Sequence, residues 1–137
     1  MTASRTIYIT TFDKERLDEL LGVAGAFSYR DRDDLRRLKE ELVRAQVVEP
    51  KQVPPSVVTM HSRVAITVND LEMEVTVVFP KEADADRGRI SVLSAIGTAL
   101  IGYAVGDVIP FQTPAGPSTL KIVKMISQPE AEGRYHV

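Results

Sequence analysis

The sequence predicts an α+β protein, in which a short N-terminal antiparallel helical hairpin with a coiled-coil seam precedes an antiparallel sheet packed on one short helix. Three observations carry this. Apolar residues recur at helical spacing before a Pro-rich hinge, they recur at strand spacing after it, and the hinge itself, Val53-Pro54-Pro55-Ser56, forbids helix. The expected division is residues 1–52 as an arm with its linker and residues 53–137 as the sheet domain. At 137 residues and 44% hydrophobic content the chain can bury one ordinary core with a small appendage, and it has no room for two large domains.

Taken in order, Ile7-Tyr8-Ile9 is a short apolar stretch, either a strand or a pinned N-terminus, and Thr10-Thr11 behind it can cap a helix through a side-chain oxygen. The helix expected over residues 12–23 places Leu17, Leu20, Leu21 and Ala24 on one face, and Asp13, Lys14, Glu15, Arg16, Asp18 and Glu19 cover the rest. Gly22 and Gly25 weaken and end it, so about a dozen residues give a rod of ~18 Å. A second helix opens near Asp31, carries Leu35, Leu38, Leu42 and Ala45 in a narrow seam, and stops before Glu49-Pro50. The short connection at residues 25–30 folds the two back on each other.

Beyond the hinge, residues 57–60, 64–68 and 73–79 are β-branched runs, the last two joined by the turn signal Asn69-Asp70. Residues 80–88 read as a polar loop and residues 89–92 as a strand. Ser94 can cap a helix that runs to Ile101, with Gly102 as its stop. Gly106-Asp107 turns the chain into a strand at 108–112, and the Pro- and Gly-containing stretch 113–117 turns it into another at 120–126.

Composition excludes several functions. Charged residues make up 26% and nearly cancel to −2, so no net field draws nucleic acid to the surface. The absence of cysteine removes disulfides, thiolate metal sites and thiol catalysis. No apolar run approaches the ~20 residues of a membrane span and residues 1–5 lack a signal-peptide core, so a soluble, cytoplasmic protein is expected. There is no Gly-Lys-Ser/Thr phosphate loop, and His61 and His136 stand apart without a carboxylate pattern. No catalytic residue, metal ligand or cofactor is therefore assigned. Asp31, Asp33 and Asp34 near the arm tip have the right chemistry for magnesium. They alternate with Arg30, Arg32, Arg36 and Arg37, and Asp33 faces Arg37 at i,i+4, which reads as a solvated helix surface. Phe79, Tyr103 and Phe111 could line a prolyl-isomerase pocket, but aromatics spaced along strands usually fill a core.

Several spaced elements also match a known family in order. Glu82-Ala83-Asp84, Gly88-Arg89-Ile90-Ser91-Val92, Ser94-Ala95-Ile96-Gly97-Thr98-Ala99-Leu100-Ile101-Gly102 and Val105-Gly106-Asp107-Val108 resemble the C-terminal domain of the Gre transcript-cleavage factors, over about residues 57–127. Arg44-Ala45-Gln46, Val53-Pro54, Val57-Val58-Thr59-Met60, Ser62-Arg63-Val64 and Gln128-Pro129-Glu130-Ala131 extend the resemblance to the regulators of nucleoside diphosphate kinase, in which a similar domain follows a shortened helical arm. This resemblance implies a fold like the FK506-binding proteins and docking at the secondary channel of RNA polymerase, with contacts at Val92, Leu93, Ser94, Ala95 and Ile96. Ala95 replaces the proline common in Gre factors. Those factors use a long coiled coil whose acidic tip places magnesium at the polymerase active site, and their Leu-Ser-Glu-Asn tip run is absent here. The implied role is a non-enzymatic transcription regulator that competes with Gre factors without stimulating cleavage and bears on nucleoside diphosphate kinase indirectly. A weak cleavage stimulator, a remnant isomerase and direct contact with the kinase are the alternatives.

Overall fold

Thr10 begins the first helix in the manner its side chain predicts: Oγ1 accepts from the Asp13 N–H at 3.0 Å. The structure, a computed structural model, describes residues 7–27, 32–113 and 116–134. Helix α1, Thr11–Phe27, runs through Gly22 and Gly25 and overruns the predicted end, so its 17 residues span ~25 Å rather than ~18 Å. A helical glycine costs only about 1 kcal/mol, less than burying Leu17 and Leu21 contributes, so packing overrides the local preference. Helix α2, Arg32–Arg44, buries Leu38 and Leu42.

The second helix ends earlier than predicted. Strand β1, Tyr8–Thr10, pairs in parallel with β2, Gln46–Val48, and Gln46 N–H also donates to the Ile7 carbonyl at 2.8 Å. The extension predicted for α2 therefore loses to a β-branched pair that finds a partner strand. That strand is remote in sequence, which is why helical periodicity alone misses it.

The main sheet has the order β5-β4-β3-β7-β6. Its strands are β3, Arg63–Val68; β4, Leu71–Val78; β5, Arg89–Ser91; β6, Val108–Thr113; and β7, Gly116–Ser127. Asn69 and Asp70 both have positive φ, 50° and 72°, the backbone that a two-residue hairpin between β3 and β4 demands. Every pair of neighbours is antiparallel except β4 with β5, which is parallel. The expectation of a wholly antiparallel sheet is corrected at this edge. Single 3-10 turns at Pro80–Glu82 and Ala85–Arg87 lie in the connection that returns the chain beside β4 in the same direction.

The strand expected at residues 57–60 is reduced to one bridge, Val57 with Ala104. Thr59 N–H donates to Ser62 Oγ at 2.8 Å and Ser62 N–H to the Thr59 carbonyl at 3.0 Å, so a local turn takes the bonds a ladder would need. Helix α3, Ala95–Leu100, lies between β5 and β6 in the chain. One apolar cluster joins the two parts: Leu17, Leu21, Leu38 and Leu42 belong to the same core as Val64, Val77, Leu100 and Ile122. Among the described residues no helix is long and apolar enough to cross a membrane.

Candidate functional site

The corner between β5 and α3 is built from backbone and hydroxyl groups. Ser94 is the N-cap of α3, its Oγ accepting from Gly97 N–H at 3.1 Å and donating to the Ser91 carbonyl at 2.6 Å. Leu93 N–H donates to Ser91 Oγ at 3.0 Å, and buried Thr98 donates through Oγ1 to the Val92 carbonyl at 2.9 Å. Val92 N–H reaches the Val78 carbonyl at 2.8 Å, tying the corner to the sheet. Gly97 allows the closest approach: a Cβ there would lie 2.1 Å from the Ser91 carbonyl oxygen. No residue with a side chain fits without moving the helix away from the strand.

This corner borders an open, mostly apolar groove of about 460 Å³. Of the five predicted docking residues, Ser94, Ala95 and Ile96 line it. Val92 is fully buried and Leu93 half-buried, and neither lines the groove. Ala83, Ala85, Arg89, Ile90, Ser91 and Phe111 complete the lining, and sequence reasoning did not single them out for it. Ser91, Ile90 and Arg89 are legible only as neighbours of the motif. Phe111 comes from β6, and nothing in its local sequence points to this place.

The root of the arm is built from buried charged groups instead. The Asp13 carboxylate, 1% exposed, accepts from Met60 N–H at 3.0 Å and pairs with Arg16. Burial pushes the Asp13 carboxyl above its ordinary value, against the opposing pull of the Met60 N–H and the Arg16 guanidinium. Arg16 is stacked over the rings of Phe12 and Phe79, 4.0 and 4.9 Å from their centroids. Thr59 Oγ1 donates to Glu130 at 2.6 Å, and burial raises the Glu130 carboxyl as well. The second helix has its own polar anchor. Arg44 pairs with Glu41 at 2.8 Å and donates to the Tyr103 hydroxyl at 3.1 Å, while that hydroxyl lies 3.3 Å from both Glu41 oxygens. Burial first, and then the neighbouring Glu41 charge, raise the Tyr103 hydroxyl.

The remaining sequence candidates are dispersed. Asp33 and Asp34 fall in the first turn of α2, and Asp31 lies outside the described residues. Among the described residues no three His, Asp or Glu side chains converge so as to hold a metal ion. Tyr103 and Phe111 are buried in the core, as aromatics in this pattern usually are. Phe79 lines a separate groove with Arg16 and His61, whereas Phe111 lines the groove beside the β5–α3 corner. His61, at φ 68°, hydrogen-bonds Glu82 at 3.0 Å.

The strand–turn–helix corner beside a mostly antiparallel sheet is that of a GreA-like domain, and residues 53–127 match the family described as transcription elongation factor, GreA/GreB, C-term. Residues 5–48 match the Rnk N-terminus. The chain belongs to the family of regulators of nucleoside diphosphate kinase. It is 38% identical over 133 residues to the regulator of nucleoside diphosphate kinase of Escherichia coli, covering 95% of this chain and 96% of that one. It is 37% identical over 92 residues to transcription elongation factor GreA of Chlorobium phaeobacteroides, covering 64% of this chain and 58% of that protein. Among solved structures, a prokaryotic transcription elongation factor GreA/GreB from Nitrosomonas europaea superposes with a TM-score of 0.72 at 39% identity, covering 89% of this chain and all of that one. These relatives are named as regulators or transcription factors rather than enzymes.

Proposed function

We propose that this protein is a non-enzymatic transcription regulator that docks on RNA polymerase at the rim of the secondary channel, where Gre factors bind, and excludes them without stimulating transcript cleavage. The observation that carries the reading is the groove beside the β5–α3 corner. It is concave and largely apolar, and the motif resembling the Gre docking loop, Ser94-Ala95-Ile96, forms one wall. Leu93, half-buried beside it, and Val92 beneath it complete the proposed docking segment.

In this reading residues 1–52 form a short coiled-coil hairpin and residues 53–137 an FK506-binding-protein-like docking domain. The arm enters the channel but does not deliver metal. Its first helix spans only ~25 Å, and Asp33 and Asp34 share α2 with Arg32, Arg36 and Arg37, which offset their attraction for a divalent ion. Regulation of nucleoside diphosphate kinase then follows from altered transcription rather than contact, in the cytoplasm where polymerase works. The test is competition. Added to backtracked polymerase complexes, the protein slows Gre-stimulated RNA cleavage in proportion to its concentration, and excess Gre factor restores it. Cleavage stimulated by the protein alone would overturn the reading.

A further inference from the structure

We infer that Arg89 is the electrostatic half of this groove, and that the polymerase element seated in it is an apolar protein ridge carrying a carboxylate. The inference rests on the docking role proposed above. Among the described residues that line the groove, Arg89 alone is charged. Its side chain is exposed and makes no ion pair among the described residues. The acids on the flanking elements are engaged elsewhere: Glu74 with Arg63 at 2.8 Å, Asp84 with Arg87 at 3.5 Å, and Glu82 with His61 at 3.0 Å. Asp86, on the preceding turn, makes no ion pair with Arg89.

The backbone under Arg89 is fixed on both sides. Asp84 and Arg89 exchange two backbone hydrogen bonds, each 2.9 Å, and Thr76 N–H donates to the Gly88 carbonyl at 2.8 Å. Gly88 holds φ +71°, and a Cβ there would lie 3.0 Å from the Glu74 carbonyl oxygen. The Arg89 backbone is thus held at a set point on the groove edge, and little backbone order has to be gained when a partner arrives. A planar guanidinium beside an apolar floor matches a carboxylate in both charge and shape. A nucleic-acid backbone is a poorer match, because it would need several cations and the described lining presents one.

Association of the full chain with core RNA polymerase, measured by stopped flow or surface plasmon resonance at low and high salt, tests this. R89E is expected to slow association about tenfold at low salt, with the difference shrinking as salt screens it. Arg89→Gln should fall between, R89K should keep most of the wild-type rate, and all three should unfold at the wild-type urea midpoint. Gln also serves if the Glu variant fails to fold. Wild-type binding with no loss in R89E or Arg89→Gln, or faster association of R89E, would overturn this inference and leave the docking role standing. No binding of wild-type protein to polymerase would overturn the docking role itself, and this inference with it.

Discussion

The arm root and the β5–α3 corner join elements by opposite means. The arm root relies on charge taken out of water: Asp13 against Met60 and Arg16, and Glu41 with Arg44 against Tyr103. The corner relies on neutral groups, the Ser91, Ser94 and Thr98 hydroxyls bonded to backbone, and on the absence of a side chain at Gly97. Buried charge responds to protons and its net worth is small, because desolvation opposes pairing. A steric fit responds to nothing in solution and fails abruptly when volume is added. The corner should therefore be rigid across pH, which suits a docking surface, while the arm root should be the part that solution conditions reach.

The largest effect is expected at the corner. Gly97→Ala puts a Cβ against backbone that cannot swing aside, so it should cost about 3 kcal/mol, read as a lower urea midpoint, and should distort the groove wall. An unchanged midpoint would mean that α3 is not seated as closely as described. At the arm root, Asp13→Ala leaves the Met60 N–H without its acceptor and should cost about 2 kcal/mol. Asp13→Asn retains an acceptor, should cost less, and separates the hydrogen bond from the charge.

Proton linkage distinguishes the two regions directly. The Asp13 carboxyl is raised in the folded state, so the fold binds its proton more tightly than the unfolded chain does. Its contribution to stability therefore grows as pH falls through the raised value toward the ordinary carboxylate value of 3.8, and is lost as pH rises through that window. Asp13→Asn should remove this component, so the wild-type advantage over the variant should increase toward acid pH. A difference that stays flat across the window, or reverses, would contradict a desolvated Asp13. The smallest effect is at the helix cap, where Thr10→Ala should cost about 1 kcal/mol by the same urea measurement.

Legibility in the sequence divides along similar lines. Features with local causes are readable: the Thr10 cap, the Asn69-Asp70 hairpin, the Ser94 cap and the positive φ of Gly102 after α3. Features decided by a distant partner are not. Strand β2 exists because Tyr8–Thr10 is there to pair with it, and α1 passes two glycines because its leucines reach the core. The parallel return of β5 depends on how the turns between residues 80 and 88 are spaced. The proposed docking segment, residues 92–96, is legible as a motif, but the groove beside it is not. It needs Phe111 from another strand and Arg89 left without a described ion-pair partner, and both are facts of packing rather than pattern.

If one groove serves one competition, a single substitution inside it should abolish that competition. Ile96 lines the groove, and Asp there places a charge that docking would have to desolvate. In a cleavage assay on backtracked polymerase complexes supplied with a Gre factor, wild-type protein should slow cleavage in a dose-dependent way while stimulating none alone. Folded Ile96→Asp should fail to slow it at any dose tested. Full inhibition by the folded variant would place the competing surface elsewhere on the molecule and overturn the docking role of this groove.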